Sequence, residues 1–180
     1  MDDIVRQAIA KWPRVPHCFG WLGLDARGRW YLRDAAAQAL GAFGSGVPGA
    51  RGELLRHDKL IDFIGRNYEA DEFGQWFFQN GPQRVYVELE CTPWVWRVHA
   101  DGLVLAHTGQ PAAVQGLWLD EAGRVYLQTD RGIGLVHSQD VVLVAAAIEQ
   151  GRWSPQSIMA AEVPARFGFV LRPERRSGAA

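Results

Sequence analysis

Residues 20–32 read Gly-Trp-Leu-Gly-Leu-Asp-Ala-Arg-Gly-Arg-Trp-Tyr-Leu, and residues 115–127 read Gln-Gly-Leu-Trp-Leu-Asp-Glu-Ala-Gly-Arg-Val-Tyr-Leu. At one constant offset, both segments contain the pattern Leu-x-Leu-Asp-x-x-Gly-Arg-x-Tyr-Leu. Self-similarity within one chain indicates that a structural unit has been repeated. The chain is therefore predicted to consist of two related halves.

Each copy of the pattern predicts a β-hairpin. Asp25 and Asp120 open a tight turn by accepting hydrogen bonds from its backbone, and Gly28 and Gly123 close it because glycine tolerates a positive φ. The Leu residues of the pattern alternate onto one face of the hairpin, and the Arg and Tyr residues lie on the other. A hairpin with one apolar face cannot bury that face alone, so the helix predicted after each hairpin is its nearest cover.

The segments around the hairpins are predicted from local spacing and composition. Apolar residues at helical spacing over 60–64 and 141–148 predict the two covering helices, and Ser138 is the predicted N-cap of the second. The insert at 35–52 is rich in Ala and Gly, and we expect a poorly packed loop there. Alternation over 166–172 predicts a last strand.

These patterns predict an α+β fold of two related small units. Each unit is expected to be an antiparallel sheet, made of the β-hairpin plus further strands, packed with a helix. The predicted domains are 1–107, an N-terminal helix plus the first α+β unit, and 112–173, the second α+β unit. Residues 174–180 are predicted to be a frayed tail.

The composition of the chain argues against nucleic acid and membranes as binding partners. The chain has 180 residues, 48% of them hydrophobic and 22% charged, which is typical of a globular protein, and its net charge is -1. Such a charge gives no general attraction to nucleic acid or to an anionic membrane, so neither partner is expected. No apolar run approaches the roughly 20 residues of a membrane span, and residues 1–3 lack the basic and apolar character of a signal peptide. We therefore expect a cytoplasmic protein with reduced thiols at Cys18 and Cys91.

The sequence supplies no specific signature of catalysis or of metal binding. It contains no Gly-x-Ser-x-Gly and no Cys-x-x-Cys or His-x-x-x-His pair, so no catalytic residue, metal ligand or cofactor is predicted. Enzymatic activity is left open, with its absence favoured. Glu88 and Glu90 share one face of a predicted strand, where they form either an acid/base pair or, as we expect, a solvated sheet face.

Aromatic and Arg residues are the candidate ligand-binding groups. Arg with its planar fork beside a phenol can clamp an anion or a carboxylate, and Trp suits pockets and interfaces. The seven candidates are Arg29, Tyr31, Arg124, Tyr126, Trp94, Trp96 and Trp118. The alternatives are that the Arg and Tyr pairs support their turns or solvate the outer sheet face, and that the Trp residues pack the core.

Four segments carry a resemblance to a known group of proteins: 24–31, 54–63, 76–78 and 85–89. With these segments the chain resembles a two-domain family of uncharacterised bacterial proteins, classed as domains of unknown function, with repeated structural motifs and a proposed role in signal transduction. The resemblance implies a binding or sensing module with a cleft between its halves, and it supplies no catalytic residues.

The leading functional hypothesis is a cytoplasmic binding module in signalling or regulation. It would hold an unknown small molecule or protein partner in a cleft between the two related halves. The alternatives are an enzyme of unrecognised type and a structural module for protein interaction or homodimer formation. A nucleic-acid-binding role through exposed aromatics is disfavoured by the overall charge.

Overall fold

The computed structural model describes residues 1–12 and 15–175. Residue contacts divide the chain into two compact units. The first unit comprises the described residues of 1–25 and 29–90 together with those from 169 onward, and the second comprises 26–28 and 91–168.

The first unit contains a six-stranded sheet and three helices. Its elements are α1 (Asp3–Lys11), β1 (Cys18–Leu24), β2 (Trp30–Leu32), α2 (Ala35–Leu40), β3 (Glu53–Leu54), α3 (Asp58–Arg66), β4 (Tyr68–Ala70), β5 (Trp76–Asn80) and β6 (Gln83–Leu89). The strand order is β3-β2-β1-β6-β5-β4. The β1 and β6 strands run parallel, and the other neighbours are antiparallel.

The second unit contains another six-stranded sheet. Its elements are β7 (Trp94–Val98), β8 (Val104–Ala106), β9 (Val114–Leu119), β10 (Val125–Thr129), β11 (Gly132–Val136), α4 (Val141–Glu149), β12 (Pro155–Ser157), a 3-10 turn (Ala160–Glu162) and α5 (Val163–Phe167). The strand order is β12-β9-β10-β11-β7-β8, with β12 parallel to β9 and β7 parallel to β11. The contact boundary falls after residue 90, before the predicted boundary at 108–112, because β7 and β8 join the second sheet.

The two units share an arrangement of four strands and a helix, which confirms the predicted α+β fold of two related sheet units. In each, a three-stranded meander leads into a helix, and a later strand lies parallel to the first strand of the meander. In the first unit β6 lies beside β1 and follows α3 after β4 and β5, whereas in the second unit β12 lies beside β9 and follows α4 directly. The sheets are therefore mixed and not purely antiparallel. A helical crossover is the usual way to return a chain to a parallel position.

The two repeated hairpins have the same register, as their shared pattern predicts. Leu22 pairs with Leu32 in the first hairpin, and Leu117 pairs with Leu127 in the second. The first Leu of each pair is almost fully buried, with 2% and 1% of its surface exposed. The first Leu of the pattern thus supplies core to both sheets.

Three local predictions were wrong. The insert at 35–52 begins with helix α2 and continues as a packed loop in which Phe43 and Ala50 are fully buried. The predicted strand at 166–172 does not form: Pro164 in the first turn favours helix α5, which ends at Gly168 with a φ of 67°. Helix α4 begins after Asp140 and not after Ser138.

The segment after α5 joins the first unit. The backbone N–H of Leu89 donates to the carbonyl oxygen of Leu171 at 2.8 Å, and that of Glu174 donates to Gln75 Oε1 at 2.7 Å. The predicted frayed tail begins at this hydrogen-bonded residue, and its residues 176–180 lie outside the described residues. None of the helices in the described ranges is long and apolar enough to cross a membrane.

Gly52 shows how closely the insert packs against the sheet. It has a φ of +72°, and a Cβ atom there would clash with the backbone of Leu32 and Arg33. We expect Gly52→Ala to lower the free energy of unfolding by about 3 kcal/mol or more, because positive φ and steric overlap act together. Gly46→Ala is the matched control, since Gly46 has a φ of +76° with nothing within 4 Å. Urea unfolding measures both variants, and equal losses would contradict close packing at Gly52.

Candidate functional site: a hollow in the first unit

The Arg and Tyr residues of the repeated pattern bind the Asp that opens their own turn. In the first hairpin, the buried Asp25 carboxylate accepts from Arg29 N at 2.9 Å, Arg29 Nε at 2.7 Å and Tyr31 Oη at 3.4 Å. In the second hairpin, Asp120 accepts from Arg124 N at 2.8 Å, Arg124 Nε at 2.7 Å and Tyr126 Oη at 2.8 Å. This geometry is the turn support that the sequence left open as an alternative. Ligand binding by these four residues stays a prediction.

The electrostatics of the second turn follow from these contacts. Burial by itself would raise the pKa of Asp120, but hydrogen bonds from the Arg124 backbone, the Tyr126 hydroxyl and the Arg124 side chain outweigh burial and lower it. Burial, the nearby Cys91 and the bond to Asp120 raise the pKa of Tyr126. At neutral pH the turn therefore contains an ionised carboxylate and a neutral phenol that donates to it.

The structure contains a third turn of the same kind, which was not predicted from the sequence. Asp71 opens the β4–β5 hairpin, and its Oδ1 accepts from Phe73 N and Gln75 N, each at 2.9 Å. The Tyr86 hydroxyl donates to Asp71 Oδ2 at 3.1 Å, as the tyrosines of the two repeats do to their Asp. The signal was present in Asp71-x-x-Gly74, which has the same spacing as the turn residues of the two repeats.

The three candidate Trp residues all lie buried in the second unit. Trp94 Nε1 donates to the carbonyl oxygen of Arg131 at 2.8 Å, and Trp96 Nε1 donates to that of Leu127 at 2.9 Å. Trp118 is also buried, and the Arg166 guanidinium lies 4.1 Å from the centre of its ring. These contacts give the three residues roles in packing, and their predicted role in ligand binding is untested.

A different feature stands out as a candidate site, an open hollow of about 760 Å³ in the first unit. Residues from the sheet and from helices α2 and α3 line it. They are Trp21, Leu22, Leu32, Arg33, Asp34, Ala36, Ala37, Leu40, Gly49, Gly52, Glu53, Leu60, Ile64, Phe78, Asn80 and Val85. Every one of these residues belongs to the first unit.

Paired strand residues form the sheet side of the hollow. Leu32 lies between Leu22 of β1 and Glu53 of β3, and it is directly paired with both. Phe78 of β5 is paired with Val85 of β6. Directly paired residues present their side chains on the same face of a sheet. The register of five strands therefore sets the shape of this surface.

Large apolar side chains around the hollow are unusually accessible. Trp21 is 49% exposed, Leu32 is 46% exposed and Leu40 is 51% exposed. Single exposed apolar residues are ordinary on protein surfaces, but a group that lines one concave surface marks an interaction site.

Arg33 also lines the hollow, but its side chain is buried and hydrogen-bonded to Glu88 and to backbone carbonyl groups. Its Nη1 donates to Glu88 Oε1 at 2.5 Å, its Nε donates to the Ala50 carbonyl oxygen at 2.8 Å, and its Nη2 donates to the Gly41 carbonyl oxygen at 2.5 Å. Glu88 Oε2 accepts from Phe43 N at 2.9 Å. The expectation that Glu88 lies on a solvated face was wrong, because Glu88 is the buried partner of Arg33.

The remaining charged residues of the lining are acidic. Asp34 is exposed, and its Oδ1 accepts from Ala37 N at 2.8 Å as the N-cap of α2. Glu53 is exposed at the edge strand β3. In the described parts of the chain, no three His, Cys, Asp or Glu residues are grouped so that they could hold a metal ion. The hollow thus combines an apolar surface with two accessible carboxylates.

The protein thus has an α+β fold of two related sheet units, and the first unit contains an open, mostly apolar hollow. The chain belongs to the family described as "Protein of unknown function (DUF2946)", whose sequence profile, named DUF2944, matches residues 1–174. This result confirms the expectation of an uncharacterised domain-of-unknown-function protein. No curated protein matches the chain.

Two solved structures are similar to the chain. One is a DUF1285 family protein from Silicibacter pomeroyi DSS-3, with 13% sequence identity and a TM-score of 0.47, and the match covers 80% of this chain and 83% of that one. The other is a DUF1285 family protein from Shewanella baltica OS155, with 15% identity and a TM-score of 0.46, and the match covers 70% of this chain and 91% of that one.

The buried pair of Arg33 and Glu88 gives another prediction about stability. Arg33→Met and Glu88→Gln should each cost about 3 kcal/mol of unfolding free energy, because each leaves a buried charge without its partner. The double variant should lose at least about 1 kcal/mol less than the sum, because the two residues interact directly.

Arg51 and Glu90 provide the matched control for this cycle. They also join the insert to the sheet, but their side chains are 36% and 27% exposed. Arg51→Met and Glu90→Gln should show a coupling of no more than about 1 kcal/mol. Urea unfolding of all six variants measures both cycles, and a coupling for Arg33 and Glu88 no larger than the control would contradict the assignment.

A second prediction concerns pH. Because the pKa of Asp120 is lower in the folded protein than its ordinary value of 3.8, its contribution to stability is complete above that value and is lost as pH falls through the folded pKa. The unfolding free energy of Asp120→Asn should therefore decline less between about pH 5 and pH 2 than that of the wild type. Tyr126→Phe removes one of the donors and should give an intermediate decline, whereas a wild-type decline in Asp120→Asn would refute the prediction.

Proposed function

We propose that this protein is a non-enzymatic binding module and that it holds a small organic ligand in the hollow of its first unit. The observation that carries the proposal is the concave surface lined by half-exposed Trp21, Leu32 and Leu40. Small-molecule sites are concave, mostly apolar and roughly 300–1,000 Å³ in volume, and a hollow of about 760 Å³ falls in that range.

The state of the charged lining residues supports binding over reaction. Arg33 is held by Glu88 and by backbone carbonyl groups, and Asp34 caps α2 through one of its oxygens. A catalytic site would require a nucleophile or base directed at a common point by a second group. The described lining residues include no Ser, Thr, Cys, His or Lys, and no hydrogen bond joins the two accessible carboxylates of the lining, Asp34 and Glu53.

The location of the hollow also supports a regulatory use of binding. Its lining includes α2 and the loop glycines Gly49 and Gly52, which belong to an insert joined to the sheet through Arg33. A ligand that contacts both the insert and the sheet would stabilise their contact by mass action. We therefore place the module in signalling or regulation, the role that the resemblance implies. The cleft between the two halves stays a prediction.

The neutral fluorescent amine N-phenyl-naphthylamine provides a direct test. We expect it to bind with enhanced fluorescence, because its aromatic body matches the apolar surface. Ala36→Trp should weaken binding at least tenfold, about 1.4 kcal/mol, because the indole would occupy the hollow. Ala39→Trp is the control, since Ala39 is exposed on the same helix but does not line the hollow. Absence of binding, or equal weakening in both variants, would overturn the proposed function.

A further inference from the structure

We infer that the ligand is a cationic amphiphile, an organic ammonium with an apolar body, bound in the hollow with its charged end beside Asp34 and Glu53. This inference rests on the proposed function, and it adds the chemical class of the ligand. Its first ground is charge complementarity. Two exposed carboxylates line the hollow, and the cation among the described lining residues, Arg33, is neutralised by Glu88.

The carboxylates are positioned to meet a charged group at the edge of an apolar surface. Glu53 pairs directly with Leu32, so its side chain stands next to one of the half-exposed apolar residues. Asp34 uses Oδ1 to cap α2, and its Oδ2 has no hydrogen-bond partner among the described residues. In the described part of the chain, neither Asp34 nor Glu53 forms an ion pair with a basic side chain.

Trp21 is an independent reason to choose an organic cation. Trp21 lines the hollow and is half-exposed. A Trp face attracts an ammonium group with about 0.5–1 kcal/mol at exposed sites, and carboxylates add Coulomb attraction. An anionic ligand of the same shape would gain neither contribution and would be repelled by Asp34 and Glu53.

Three eight-carbon compounds that differ only in their head group test the inference. Octylammonium, octanol and octanoate, each below its micelle concentration, compete with N-phenyl-naphthylamine for the full-length protein. Octylammonium should displace the probe at a concentration about tenfold lower than octanol, with octanoate the weakest, and added salt should reduce the difference.

Conservative substitutions then test whether Asp34 and Glu53 cause the preference for octylammonium. Asp34→Asn retains a side-chain oxygen that can cap α2, and Glu53→Gln retains the size of the side chain. The double variant should lose most of the preference for octylammonium over octanol. Glu72→Gln is the control, because Glu72 is an exposed carboxylate of the same unit that does not line the hollow.

The outcomes separate this inference from the proposed function. Equal displacement by the three compounds, a preference for octanoate, or an unchanged preference in the double variant overturns the inference and leaves the proposed function intact. Failure of the probe and of all three compounds to bind overturns both. Selective loss of the octylammonium preference in the double variant supports the inference.

Discussion

The buried ion pair between Arg33 and Glu88 is the constraint on which the first unit depends. A guanidinium removed from water is tolerated only when its charge and its N–H groups are met by protein atoms. Here Glu88 of β6 meets the charge, while carbonyl groups of Gly41 and Ala50 accept two more hydrogen bonds. One side chain at the end of β2 thus holds both ends of the loop that follows α2, and Gly49 and Gly52 of that loop line the hollow.

Local patterns allowed the hairpins to be predicted, because Asp, Gly and alternating Leu residues act within a few positions of one another. Local patterns could not predict that β1 pairs with β6 or that Glu88 is buried. Glu88 lies 55 positions from Arg33 in the sequence. No local pattern distinguishes a charged residue on a solvated face from a buried one that pairs with a residue so far along the chain. The insert at 35–52 was misjudged for the same reason, since its order comes from contacts with the sheet and not from its composition.

The residues that line the hollow could not be predicted from the sequence for a different reason. Arg29 and Tyr31 recur with Arg124 and Tyr126, and recurrence made them attractive as binding residues. Their hydrogen bonds to Asp25 and Asp120 give the recurrence a structural explanation in the turn, and ligand binding by these residues stays a prediction. The hollow is lined instead by apolar residues such as Leu40, which have no individual signature and become informative only when the fold shows that they share one concave surface.

The connection between the second and third strands of each meander differs greatly between the two units. In the second unit, Asp130 and Arg131 alone join β10 to β11, whereas in the first unit α2 and its loop separate β2 from β3. Similar strand frameworks thus carry a two-residue turn in one unit and, in the other, a helix and loop that line the hollow. A wall of the hollow can therefore change in length and in composition while the strands that it connects keep their pairing.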